Sequence, residues 1–386
     1  MHKPHFDTII PRHNTFSAKW DSALARFGAD ITPLSVADMD FAAPPAVVAA
    51  VAQANNGIYG YTELGDDYFT VVANWLARRY NYKVRSSQIV FCPRIIQAVS
   101  LYLRFLTAPD DAVGIFTPSY SPIFNTITLN QRRVVECPLV YANHSYHIDD
   151  AALERCFAQV NTFILISPHN PTGLVWTAEQ LARIAQLAEQ YDVFVISDEV
   201  HADFCFGARH QVYARVSEYA AAHSMVCTSP AKTFNLAGLE IANVVIENEA
   251  IKVRLEAVLK QLGFHNPSYF SVQALYRAYQ ECDAWVDALV DYIAENRTLV
   301  ARYFQQHLPQ LHISHGQGTY LCWVDFSAMG LSLREFKTLM REKARVEFSW
   351  GDDFGHDCKH FFRMNLALPR AELERVLSQI KAALIA

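Results

Sequence analysis

Between residues 88 and 246 the chain carries seven short, mostly apolar runs rich in β-branched residues: QIVFC (88–92), AVGIF (112–116), RVVEC (133–137), TFILI (162–166), VFVIS (193–197), MVCT (225–228) and ANVVI (242–246). This repeat narrows the possible folds more than any other feature. Longer stretches with helical periodicity separate the runs, for instance 95–106 and 178–191. A strand that is apolar on both faces needs cover on both faces. Strands that alternate with helices run parallel, because each helix carries the chain back to the starting edge of the sheet. The expected fold is therefore α/β, with a mostly parallel, seven-stranded sheet in a large domain spanning 51–279.

After about Ser271 the rhythm changes. A long helical stretch at 284–306 is followed by GTYLCWVDF (318–326), which reads as a strand, and by a closing helix from Arg370. Residues 280–386, joined by 1–50 folding back, are expected to build a smaller α+β domain. A chain of 386 residues, 51% hydrophobic and 19% charged, can fill both cores. Its net charge of -6, without a basic arm, argues against nucleic acid. No run reaches the roughly 18 apolar residues of a membrane span, and residues 1–11 lack the apolar core of a signal peptide. The eight cysteines are scattered without a CxxC pair, which points to buried free thiols in a cytoplasmic enzyme and to no metal site.

In open parallel sheets, ligands gather at the carboxyl ends of the strands. Here TFILI runs into Ser167-Pro168-His169-Asn170-Pro171-Thr172-Gly173, VFVIS into Asp198-Glu199-Val200-His201, and MVCT into Ser229-Pro230-Ala231-Lys232-Thr233. QIVFC runs into Pro93-Arg94-Ile95-Ile96 and a helix, and AVGIF into Thr117-Pro118-Ser119-Tyr120. One edge can thus collect an amide, a carboxylate, a lysine, a helix N-terminus and an aromatic ring.

Pyridoxal phosphate asks for that set. Its aldehyde needs a lysine amine of lowered basicity, for which Lys232 is placed. Its ring nitrogen needs a buried carboxylate, Asp198, and its phenolic oxygen a donor, Asn170. Its phosphate suits the free N–H groups of Ile95 and Ile96 at a helix start, and its ring suits the face of Tyr120. Each residue alone has an ordinary structural reading, as an N-cap, a turn lysine or a core aromatic. Their joint occurrence, each just after a strand, carries the argument.

The segments ISPHNPTG (166–173), SDEVHADF (197–204) and SPAKTFNLAGL (229–239) closely resemble the fold-type I pyridoxal-phosphate enzymes of the class I/II aminotransferase superfamily. The nearest likeness is to the MalY/PatB-type cystathionine β-lyases, or C–S lyases. KWD (19–21), VADMDF (36–41), YGYTEL (59–64), GTYLCWVDF (318–326) and FGHDCKHFFRMNLALPR (354–370) extend it over nearly the whole chain. The resemblance implies a fold-type I transferase fold, with Lys232 as the Schiff-base lysine and shuttle of the α-proton. It further implies Ser229 as a phosphate-binding hydroxyl, Asp198 and Asn170 as ring partners, Tyr120 as the stacking ring, and Arg363 as the clamp for the substrate carboxylate. Tyr61 resembles the tyrosine that reaches the phosphate of a neighbouring subunit, which implies a homodimer with shared active sites.

Two positions depart from the wider pattern. His201 stands where aminotransferases have tyrosine, as in the β-lyase branch, and so favours elimination. Pro93-Arg94-Ile95-Ile96 replaces Pro-Gly-Val-Val, and Glu240 stands where many aminotransferases carry a phosphate-binding arginine. Arg94 is expected to make good that missing charge. The resulting expectation is a lyase that eliminates a thiol from cystathionine or another S-substituted cysteine, leaving pyruvate and ammonia. The rivals are an aminotransferase using the same residues, and a cofactor-bearing protein whose main role is to bind a regulatory partner.

Overall fold

All seven expected strands form, to within a residue at either end, in the computed structural model, which describes residues 5–385. Residues 1–4, which open the 1–11 segment and the expected small domain, and Ala386, which closes that domain, lie outside the described residues. The strands are β1 (Ile89–Cys92), β2 (Ala112–Thr117), β3 (Arg133–Pro138), β4 (Thr162–Ile166), β5 (Phe194–Asp198), β6 (Ser224–Thr228) and β7 (Ala242–Ile246). They lie in the order β1-β7-β6-β5-β4-β2-β3. From β6 to β3 all neighbours are parallel, whereas β7 runs antiparallel between β1 and β6. Cys92, Thr117, Ile166, Asp198 and Thr228 therefore end at one edge of the sheet, and β7 starts there.

The sheet is covered on both faces, as its composition requires. Ile164 and Ile196 pack with Ala98, Val99 and Leu103 of α1 (Ile95–Leu106). Their chain neighbours Phe163, Leu165 and Val195 turn to the other face, against Leu181, Ile184 and Leu187 of α2 (Ala178–Tyr191). This period-2 alternation buries both faces, and each fully buried aliphatic side chain contributes roughly 1.5–3 kcal/mol. Only the edge strand β3 shows exposed residues along its length.

A second, antiparallel sheet is built from β8 (His312–Ile313), β9 (Leu321–Asp325), β10 (Ser349–Trp350) and β11 (Phe361–Asn365), in the order β8-β9-β11-β10. The core behind it includes Val300 and Phe304 of the long helix α4 (Asp283–His307), Leu373, Val376 and Leu377 of α5 (Arg370–Ile385), and Leu34 from the N-terminal segment. That segment also adds Thr32–Pro33 in parallel to Val346–Glu347. The strand expected over 318–326 begins only at Leu321. Thr319 has φ 63, a left-handed conformation that interrupts an extended chain, and Gly318 instead bridges Cys205.

The expected domain boundaries lie at 50/51 and 279/280. Both fall inside continuous helices, Pro45–Ala54 and Tyr269–Glu281, and these two helices pack on each other. Among the described residues no helix is long and apolar enough to cross a membrane. Among the described residues no group of His, Cys, Asp and Glu is arranged to hold a metal ion.

Candidate active site

Lys232 projects from a single helical turn, α3 (Pro230–Thr233). Ser229 caps that turn by accepting from Ala231 N–H at 3.0 Å, and Pro230 occupies its first position. Thr233 fixes its far end by donating to Asp203 Oδ2 at 2.7 Å. The half-buried Lys232 amine donates to the Ala37 carbonyl at 2.6 Å. Burial pushes its pKa down to about 8, and the charge of Arg363 works in the same direction. Asp38 and Asp198 oppose both.

Asp198 ends β5 and is buried. Burial lifts its pKa to about 6, against the pull of Val200 N–H and of Lys232. The 3.2 Å bond from Val200 is the only hydrogen bond to its carboxylate among the described residues. The carboxylate thus retains acceptor capacity, as a partner for a cationic ring nitrogen must.

Arg363 lies on β11 and is buried. Nη1 donates to Asn170 Oδ1 at 2.9 Å, and Nη2 donates to the Ser35 carbonyl and Ser349 Oγ at 2.9 and 3.0 Å. The guanidinium carbon sits 5.0 Å from the centre of the Phe354 ring. Among the described residues no carboxylate forms a salt bridge with it, and its Nε has no hydrogen-bond partner. Burial brings its pKa down to about 10. A buried guanidinium without an acid partner is costly and suited to receiving an anion. The same contact orients Asn170. Its oxygen faces Arg363, so its NH₂ is left to donate.

The remaining expected residues divide. Ile95 and Ile96 open α1 behind Arg94, whose extended backbone offers no side-chain cap, so the first N–H groups stay free for an anion. Tyr120 is half-buried, and burial raises its pKa. Arg363 and Asp198 both act on it electrostatically. His201 is buried with Nδ1 unpaired, and its ring lies 5.4 Å from that of Tyr320. Burial, with Lys232 and Arg363 nearby, drives its pKa well below the ordinary value and keeps it neutral.

Two of the expected residues are engaged within the chain, and a third faces solvent. Ser229 is present, but its hydroxyl donates to the Ile241 carbonyl at 2.6 Å, so its proton is not directed to a phosphate. Arg94 forms an ion pair with Glu240. The charge expected to compensate for Glu240 is thus neutralised by Glu240 itself. Tyr61 is fully exposed, as a residue expected to reach a neighbouring subunit would be.

The sequence reading missed two further parts of the site. The Ala37 carbonyl accepts from both Lys232 and Tyr320, and the Tyr320 hydroxyl is 2.9 Å away. VADMDF and GTYLCWVDF had marked these regions, but no side-chain chemistry in the sequence signals a backbone carbonyl. These features fit pyridoxal phosphate: an amine near neutral basicity, an under-used buried carboxylate, an amide donor, an uncapped helix start and unpaired buried atoms at His201 and Arg363.

The family model for aminotransferase class I and II matches residues 29–380. The chain belongs to that family. Within the family it is similar to the cystathionine beta-lyase PatB of Bacillus subtilis, at 34% identity over 98% of this chain and 100% of that protein. It is 32% identical to protein MalY of Escherichia coli, over 96% of each chain. The PLP-bound C-S lyase of Staphylococcus hominis superposes with a TM-score of 0.90 at 30% identity, covering 99% of this chain and 98% of that one. The fold is that of the fold-type I transferases.

Proposed function

We propose that this family member is a pyridoxal-phosphate-dependent carbon–sulfur β-lyase. It cleaves L-cystathionine or a related S-substituted cysteine by α,β-elimination to a thiol, pyruvate and ammonia. The observation that carries the reading is the pairing of Lys232 with Arg363. Arg363, a buried cation that lacks an acid partner among the described residues, lowers the basicity of an amine that exchanges protons near neutrality. The similarity to PatB and to the Staphylococcus enzyme supports elimination as the outcome.

When bound, pyridoxal phosphate supplies the aldehyde that takes the substrate amine and the ring that accepts the electrons left at Cα. Lys232 is the residue to hold that aldehyde, Asp198 to keep a proton on the ring nitrogen, and Asn170 to donate to the phenolic oxygen. The Ile95 and Ile96 N–H groups would hold the phosphate, and Tyr120 would cover the ring. Arg363 grips the substrate carboxylate with a planar fork that matches its geometry. Lys232 Nζ then removes the α-proton, the Cβ–S bond breaks, and the thiolate leaves with its electron pair and takes up a proton.

We further propose a homodimer in which Tyr61 of one copy reaches the phosphate of the other. Tyr61 is exposed together with Ile58 and Tyr59 of the same loop, an apolar group that a second copy would cover. The free cysteines support a reducing, cytoplasmic setting. The test is to incubate the loaded enzyme with L-cystathionine and no 2-oxo acid. Multiple turnovers of thiol and pyruvate are expected. A single turnover that leaves the cofactor as its amine would indicate an aminotransferase, and no turnover would exclude L-cystathionine as the substrate.

A further inference from the structure

The segment from Leu34 to Met39 crosses the site with each carbonyl engaged by a donor. Leu34 O accepts from Asn365 N–H at 2.9 Å, and Ser35 O from Arg363 Nη2 at 2.9 Å. Val36 O and Asp38 O both accept from the Asn365 amide, at 2.8 and 2.6 Å. Met39 O accepts from Arg12 and Asn235, each at 3.0 Å. The segment is thereby fixed in place without being a strand of either large sheet. At its centre the Ala37 carbonyl has two donors, Lys232 Nζ at 2.6 Å and the Tyr320 hydroxyl at 2.9 Å. Tyr320 is fully buried, and Ala37 O is the only hydrogen-bond partner of its hydroxyl among the described residues.

A carbonyl oxygen has two lone pairs. With Tyr320 on one of them, a single direction is left from which the lysine amine can donate. Fixing one N–H of an amine restricts its lone pair to the two remaining tetrahedral positions. We infer that Tyr320 is a positioning residue of the site: by occupying one lone pair of the Ala37 carbonyl, it aims the Lys232 amine. The inference deepens the lyase reading and rests on it only for the identity of the reaction.

Burial holds the Tyr320 phenol protonated, so it stays a donor. The charged groups acting on the amine are Asp38, Asp198 and Arg363, and His201 faces Tyr320 as a neutral ring. None of them competes for Ala37 O. Removing the Tyr320 hydroxyl leaves that oxygen to Lys232 alone. The charged ammonium, the stronger donor, gains more from this than the neutral amine does.

Tyr320→Phe keeps the ring and removes only the hydroxyl. In the loaded enzyme kcat for thiol release is expected to fall about tenfold with KM within about twofold, because Arg363 is untouched. A second readout uses the full chain stripped of cofactor. Acetylation of Lys232 by acetic anhydride, followed by mass spectrometry across pH, reports the inflection of that amine. Tyr320→Phe is expected to move it upward. A merely structural role would leave the inflection in place, and an unmoved inflection overturns the inference whatever the turnover. An upward shift in a protein that does not cleave cystathionine would sustain the positioning role while the lyase reading fails.

Discussion

Two buried cations, Lys19 and Arg363, have opposite surroundings. The Lys19 amine lies 2.6 Å from Asp40 Oδ2 and 3.6 Å from Asp38 Oδ1, and Asp40 also accepts from Arg12 Nη1 and Trp20 Nε1 at 2.9 and 2.8 Å. Arg363 has an amide, a carbonyl, a hydroxyl and an aromatic face, but no carboxylate. Both regions hold the Leu34–Met39 segment, Lys19 through the Asp38 carbonyl and Arg363 through that of Ser35. The first cluster balances two cations against two carboxylates, with only Asp38 Oδ1 lacking a hydrogen bond among its carboxylate oxygens, and serves the scaffold. The second is held open at a cost in stability, which is offset when an anion arrives. That contrast separates framework from site better than burial alone, since both side chains are inaccessible.

Substitutions can break or sharpen the contrast. The largest effect is expected for Lys232→Ala, which removes the residue proposed both to hold the cofactor aldehyde and to act as the base. Thiol release should fall by about 10⁴-fold or more, measured with the variant still folded by circular dichroism. If a biological effect persisted undiminished in that variant, a partner-binding role would displace catalysis. Next comes Arg363→Met, expected to lower kcat/KM by about 10²–10³-fold, chiefly through KM, as charge-assisted bonds to the substrate carboxylate are lost.

Asp198→Asn should separate function from stability. Folded Asp198 keeps its proton up to about pH 6, whereas an unfolded aspartate loses it near 3.8. The folded state therefore binds more protons across that window, and stability falls as pH rises through it. In the cofactor-free chain the Asn variant should be more stable at pH 7, by at most about 3 kcal/mol, and indistinguishable near pH 3. Urea unfolding at the two pH values reads this directly. Equal stabilities at pH 7 would mean that the carboxylate is already well compensated. The smallest effect belongs to Arg94→Ala. Its exposed pair with Glu240 should change cofactor affinity by less than about fivefold, as judged by equilibrium dialysis.

The large sheet was legible because nearly every strand is a mostly apolar run followed by a residue unlike it. Lys232, Asp198 and Asn170 were legible for the same reason: a charge or an amide just after such a run is conspicuous. Three kinds of feature were not. Tyr320 sits inside an apolar segment where an aromatic reads as core, and its partner is the backbone carbonyl of an alanine nearly three hundred residues away. The pairing of Arg94 with Glu240 depends on the start of β7 lying beside β1, a neighbour relation that strand spacing does not reveal. The helices Pro45–Ala54 and Tyr269–Glu281 run through the expected boundaries because their contact is set by packing, not by a change in local pattern. Tyr61 carries its role only through resemblance, for in a single chain it faces solvent.

The claim that Arg363 is an unfinished charge and Lys19 a finished one is most directly tested by thermal melting of the cofactor-free chain at neutral pH. Arg363→Met should melt at or above the parent, because an uncompensated buried cation is removed. Lys19→Met should melt several degrees below it, because a buried carboxylate pair loses a partner. The reverse order, with Arg363→Met the less stable protein, would contradict the account.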